Sequence, residues 1–379
     1  MTKYLKIAIF ASLLIKLFLG FSFDTADTGA MSLASNLYVQ GQEVYGNEQV
    51  FLSSPPLHIH VLGMIRRISN STHIPFILAW KLPAILADTA LSFLLFAILV
   101  KEYKIGREKA SKLILFYVLN PISLYVSGFH GQSEAVWIFF IIAAWYVLKN
   151  KKSLFFGAVL AAIATAYKLP AVLLIGPLLL IIPGNKRKMQ FLLLFTIIFL
   201  STLFPEVLHS RKDLVEQVFK YESAFGLWGI SSIVSKIFQS QYVILWQPLL
   251  TKLLKLIIAI LFIKIMYKNR APRKSLLFFN ISLQFITIFL ILSPGFGIQY
   301  LFWPLPFLIL TQNKYLHLYT AATTFGFLHS YGIDFAIFSK PINFLQKNIY
   351  YKTKMLYPYD LYYLSWLTLI NIAKHKKLS

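Results

Sequence analysis

A chain of 379 residues that is 58% hydrophobic and only 13% charged falls outside the soluble norm of about 45–50% apolar and about 25% charged residues. Its mean hydropathy is +0.66 and its formal net charge +23. It has no cysteine, which excludes disulfides, thiolate chemistry and cysteine-based metal sites. The basic residues gather in short clusters between apolar runs: 101–112, 149–152, 186–188, 268–274 and 374–377. That is the pattern of cytoplasmic loops and anionic-lipid contact, and it argues against a nucleic-acid partner.

Apolar runs of roughly 20 residues recur along the chain, whereas a porin-type barrel would show short alternating segments. The expected fold is an all-α polytopic membrane protein, a single integral domain over residues 1–379. Its outer loops are expected to carry short amphipathic helices. The first run, about 5–22, leaves Lys3 and Lys6 behind it. It has no small-residue cleavage site and more apolar runs follow, so it reads as a retained helix.

A first outer loop follows, over residues 23–73. Its segment Phe23 to Leu57 holds Asp24, Asp27, Glu43 and Glu48 but no Lys or Arg, which is anomalous in so basic a protein. Leu57 to Ile65 is too short to cross a bilayer and reads as a half-embedded helix ending at Arg66-Arg67. Ile74 to Val100 returns the chain to the Lys101 cluster. Lys112–Phe129 exits and Ala135–Leu148 returns; Ser153–Tyr167 exits to Lys168-Leu-Pro170, and Ala171–Ile182 returns. Phe191–Leu203 leads to a second large outer loop at 205–241. Runs at 242–266, 275–293, 301–310, 316–335 and 356–373 complete the alternation. The total is about twelve spans with both termini cytoplasmic.

In this topology Asp24, Asp27, His130, Gln132, Glu134, Lys168, Gln299 and Tyr300 all fall on the outer side. Ionisable groups near apolar segments are expensive and usually functional, so their convergence on one face marks a candidate site. Asp27 reads either as a catalytic base or as the N-cap of a helix beginning near Thr28, and the two are compatible. Asp24 reads as a cap or a second carboxylate; with Asp27 and Glu134 it could also ligate a divalent ion. His130-Gly-Gln-Ser-Glu134 reads as a polar capping turn or a substrate contact. Lys168 reads as a snorkelling lysine or a charge for a phosphate. Ser293 to Pro306 is rich in Gly and Pro, implying a broken helix covered by protein. His58 and His60, two residues apart, do not share a helix face and make poor paired metal ligands.

Five elements in order over residues 20–306 resemble the GT-C superfamily of membrane glycosyltransferases. They are Asp27 with Gly41, Tyr45 and Pro55-Pro56-Leu57; Lys81-Leu-Pro-Ala-Ile-Leu-Ala-Asp88; Asn120-Pro121 with His130-Gly-Gln-Ser-Glu134; Lys168-Leu-Pro170; and Gln299-Tyr300 with Trp303 and Pro306. The second is similar to a span of the dolichol-linked glucosyl- and mannosyltransferases, the last to a signature of the mannosyltransferase that builds glycolipid anchors. The resemblance implies a GT-C-like bundle that transfers a hexose, mannose ahead of glucose, from a polyprenyl-phosphate sugar to a lipid-linked or glycan acceptor at the outer face. The site would be at a prokaryotic cytoplasmic membrane or the endoplasmic reticulum. It implies the first-loop acid, Asp27 or Asp24, as base, and requires no cofactor, a divalent metal being the variant reading. Lys168 with Arg66 or Arg67 would stabilise the leaving phosphate, while His130, Gln132, Glu134, Gln299 and Tyr300 would hold substrate. The chain departs from the pattern in its Asp24-x-x-Asp27 spacing, where Asp-x-Asp is common, and in Ser54, where an aromatic usually precedes Pro-Pro. The first departure leaves open which carboxylate acts. The rival reading is a secondary transporter or a lipid or glycan flippase, with a noncatalytic scaffold as a third.

Overall fold

The computed structural model describes residues 1–221, 224–225, 228–237, 240–270, 276–338 and 362–374. These are almost wholly helical; two two-residue strands, Ala224–Phe225 and Gly295–Phe296, pair antiparallel. The chain divides into two compact units. One comprises 1–119, 123–221 and 269–278; the other comprises 120–122, 222–268 and 279–379.

The first unit opens with α1 (Lys3–Ser22), an apolar helix that ends where Phe23 turns extended. Helix α2 (Ala26–Val39) starts from Thr25, whose N–H donates to Thr28 Oγ1 at 3.4 Å in a capping box. Helix α3 (Pro56–Thr72) starts with Pro56 at its first position, where a missing N–H is harmless. It runs past Ile65, the expected end, because Arg66 to Thr72 continue it on a polar face. It stops at His73, which is left-handed (φ 58), two residues before Pro75. Helices α2 and α3 close over a core that includes Ala34, Leu37, Tyr45, Ile59, Leu62 and Trp80. Tyr45 fastens the loop between them by donating to Ser54 O at 2.6 Å.

Helix α4 (Phe76–Ala79) leads into α5 (Leu82–Lys101), and α6 (Arg107–Val118) follows. The expected 112–129 span is broken at Asn120-Pro121. There α7 (Pro121–Ser123) opens a π-helical run, Leu124–His130, and the two halves are bent by 45°. Helices α8 (Glu134–Asn150) and α9 (Leu154–Tyr167) form a hairpin whose facing side on α9 is small: Ala158, Ala161, Ala162 and Ala164 are buried. Lys168-Leu-Pro170 ends α9; a 3₁₀ turn, Leu169–Leu174, precedes α10 (Ile175–Ile181). Helix α11 (Asn185–His209) continues through Pro205, so the loop expected from 205 begins later. It contains α12 (Arg211–Leu214) and a π turn, Val215–Phe219.

The second unit holds α13 (Gly229–Ile237), α14 (Ser240–Lys268), α15 (Leu277–Leu292), α16 (Pro304–Leu310), α17 (Leu316–Phe338) and α18 (Tyr362–Lys374). Part of the expected 356–373 span lies outside the described residues. Trp228 donates to Leu290 O at 2.6 Å, and Tyr319 to Leu301 O at 2.6 Å.

Among the described residues three helical segments are long and apolar enough to cross a membrane: Lys3–Ser22, Phe76–Lys101 and Asn185–His209. The bent pair Arg107–Val118 and Pro121–His130 makes a fourth if counted as one span. Other expected spans are apolar helices of 10–17 residues, among them Leu154–Tyr167 and Ile298–Leu310. The prolines and glycines at their ends break what hydropathy alone joins.

Candidate active site

Asp27 lies in the first turn of α2, after α1. The capping role is taken by Thr25, so the carboxylate of Asp27 is available for other contacts. Its Oδ2 accepts from His130 Nε2 at 2.6 Å and from Gln132 Nε2 at 2.5 Å. The first bond places a proton on His130 Nε2. Both donors come from the end of the π run, where Gly131 at φ +73 turns the chain so that His130 and Gln132 face the same oxygen. Among the described residues no hydrogen bond reaches Oδ1, and the Asp27 side chain is 41% exposed.

Burial pushes the Asp27 carboxyl upward, but the bonds from His130 and Gln132 and the charges of His130 and Lys168 outweigh it. The net effect holds the group below its ordinary value of 3.8. Asp27 is therefore ionised throughout the neutral range.

Lys168, at the end of α9, reaches back to α8, where its ammonium pairs with Glu134 Oε1. Glu134 is fully buried and its Oε2 accepts from Trp137 Nε1 at 2.9 Å. Both carboxylate oxygens are thus engaged, which does not suit a metal ligand. Asp24 is exposed and accepts from its neighbour Thr25 N at 2.8 Å. Asp24, Asp27 and Glu134 do not form a three-carboxylate centre; among the described residues no group of three His, Asp or Glu is placed to hold a metal.

The structure thus brings Asp27, His130, Gln132, Glu134 and Lys168 into one neighbourhood. Arg66 is occupied elsewhere. Its Nε donates to Ser35 Oγ at 3.0 Å, its Nη2 to Ser32 Oγ at 2.5 Å, and the guanidinium lies 3.6 Å from the Phe76 ring centroid. It locks α3 to α2 and α4. Arg67 is exposed on α3. Gln299 and Tyr300 belong to the second unit, half-buried on a 3₁₀ turn, Ile298–Phe302, with Tyr300 packed on Trp303 at 4.5 Å.

Three buried groups were given no role at the site by sequence. His58 is 5% exposed, stacks on Tyr167 at 4.8 Å, and carries an Nδ1 with no partner among the described residues. Burial, helped by the Lys168 charge, pushes its imidazole down to about 3, so it is neutral beside Lys168. His60 points away and meets Tyr38 Oη at 2.8 Å. Lys16 and Asp88, each on an apolar helix, form a buried ion pair at 2.7 Å. Lys81 is fully buried at the start of α5. Lys16, Lys81 and Asp88 are ionisable residues in or beside apolar runs, the one signal that sequence offered.

Compared with protein-family models and with curated proteins, the chain matches none.

Proposed function

We propose that this chain is a multi-pass membrane glycosyltransferase of the GT-C type, with about twelve spans and both termini cytoplasmic. It transfers a hexose, mannose ahead of glucose, from a polyprenyl-phosphate sugar to a lipid-linked or glycan acceptor at the outer face. The observation that carries the reading is the state of Asp27. Two donors fix its Oδ2 and, with nearby charge, keep it ionised against burial, and its Oδ1 is uncommitted on a side chain exposed enough to meet substrate.

In the proposed reaction the acceptor hydroxyl gives its proton to Asp27 Oδ1 as its oxygen attacks the anomeric carbon. A C–O bond forms on one face while the bond from that carbon to the phosphate oxygen breaks on the other. The electron pair leaves with the polyprenyl phosphate, and the configuration inverts. A carboxylate held this acidic is a ready but weak base. An acceptor that loosens the His130 or Gln132 bond would raise its basicity as the proton moves. Lys168 is the charge available to the leaving phosphate, which would compete with Glu134 for it. No step requires a metal.

The test is sugar transfer by purified protein from labelled polyprenyl-phosphate sugars to membrane lipid extract, with Asp27→Asn alongside. Transfer by wild type and a loss of about a hundred- to ten-thousandfold in a folded Asp27→Asn variant is the expected result. Wild-type rates in Asp27→Asn remove the base. Translocation of a lipid-linked sugar by proteoliposomes with no transfer moves the chain to the flippase class.

A further inference from the structure

Lys81, which caps α5, and Asp88 within it lie seven positions apart and so fall on one helix face about two turns apart. That face meets α1 and the π run, the two segments that carry the chain into Asp27 and His130. At the deep end Asp88 pairs with Lys16 of α1 at 2.7 Å and accepts from Ser123 Oγ at 2.6 Å, with Tyr117 Oη as a further donor. At the shallow end Lys81 Nζ donates to Phe23 O and to Phe129 O, each at 2.7 Å. Phe23 closes α1 and Phe129 immediately precedes His130.

The intervening surface is built for close approach. A Cβ on Gly128 would lie 3.0 Å from Lys16 Cα, and one on Gly131 would lie 2.2 Å from Lys81 Cγ. Gly131 is also in the left-handed region, so a side chain there is excluded twice, by backbone and by the Lys81 stem.

We propose that Lys81 is a positioning residue of the candidate active site: a buried ammonium that ties the end of α1 to the end of the π run and so sets the separation of Asp27 from His130 and Gln132. The inference rests on the site read above as catalytic, but its own content is geometric. A neutral apolar side chain at 81 removes the Lys81 donor from the buried Phe129 carbonyl and from the half-buried Phe23 carbonyl. It also frees the two strands of chain to part, and the Asp27 Oδ2 bonds lengthen. The titratable groups that face Asp27 are His130 from the π run and Lys168 from α9; Lys168 is itself paired with Glu134 of α8, and Asp24 precedes Asp27 on its own loop. Of these, His130 depends directly on the tie.

The test reads the Asp27 carboxyl directly, by carbon NMR of protein labelled at aspartate in lipid nanodiscs, with the signal assigned by its loss in Asp27→Asn. In folded Lys81→Met the Asp27 titration moves to higher pH than in wild type, because the donors that hold it low have moved away. Lys81→Arg, which retains charge and donors, keeps the titration closer to wild type than Lys81→Met does. An unmoved Asp27 titration in folded Lys81→Met overturns the proposal and leaves Lys81 with a packing role. Should Lys81→Met not fold, Lys81→Gln is judged by the same criterion. If the titration shifts but wild type transfers no sugar, the tie stands and the enzyme reading falls. If wild type transfers sugar but the titration stays, the reverse holds.

Discussion

Asp27 makes a prediction about stability as well as rate. Its folded pKa lies below the unfolded value, so its stabilisation is fully present above the unfolded pKa, near 3.9, and fades as pH falls through the folded one. Melting temperature should therefore drop more steeply below about pH 4 in wild type than in Asp27→Asn. Parallel acid limbs for the two proteins would place the acid-sensitive carboxylate elsewhere. Lys168 calls for a paired design, because Lys168→Ala alone strands the buried Glu134 and costs about 3–5 kcal/mol whatever its function. Lys168→Ala with Glu134→Gln removes both charges. If Lys168 serves the donor phosphate, this double variant should fold yet lose at least about tenfold in kcat/KM for donor, while Lys168→Arg retains most of it. Equal rates in the double variant and wild type would return Lys168 to a structural role. Asp27, His130, Gln132 and Lys168 were legible as solitary polar residues at the ends of apolar runs. The Lys168–Glu134 pair was not, because a sequence does not say which oxygens a cation has already claimed.

At the scale of elements, the buried Lys16–Asp88 pair locks α1 to α5 and enlists α6 and the π run through Tyr117 and Ser123. Removing one member leaves an uncompensated charge in an apolar interior, so Lys16→Met or Asp88→Leu should each destabilise by about 3–5 kcal/mol. Lys16→Met combined with Asp88→Asn is different: the amide can still accept from Tyr117 and donate to Ser123, and no charge remains. The double variant should recover most of the loss, with a coupling of at least about 1 kcal/mol in detergent or nanodisc unfolding. Strict additivity would mean the two residues act independently. Some helix ends were readable from breakers: Pro56 opens α3 and Lys168-Leu-Pro170 ends α9. The π run was not, and it packs closely on α1, where a Cβ on Gly128 would lie 3.0 Å from Lys16 Cα.

For the whole molecule, the sequence conveys an apolar, helical, basic chain, and the structure supplies at least three helices able to cross a bilayer. Hydropathy averages over the backbone break at Asn120-Pro121, so it counts apolar residues without saying which belong to one straight helix. The proposed orientation rests instead on charge, which would put Lys101 to Lys112 and Lys186 to Lys188 on one side and the acidic loop at 23–57 on the other. The absence of cysteine makes this testable with single thiols, provided that each stands on an exposed residue. Ser111 and Ser133 are buried and would be silent from either side. Glu48, Lys109 and Lys186 are exposed. Glu48→Cys should react with an impermeant maleimide in intact cells, whereas Lys109→Cys and Lys186→Cys should react only after permeabilisation. Labelling in the opposite sense would put Asp27 on the cytoplasmic face, where the basic clusters are now assigned, and would leave the outer-face transfer reaction without its base.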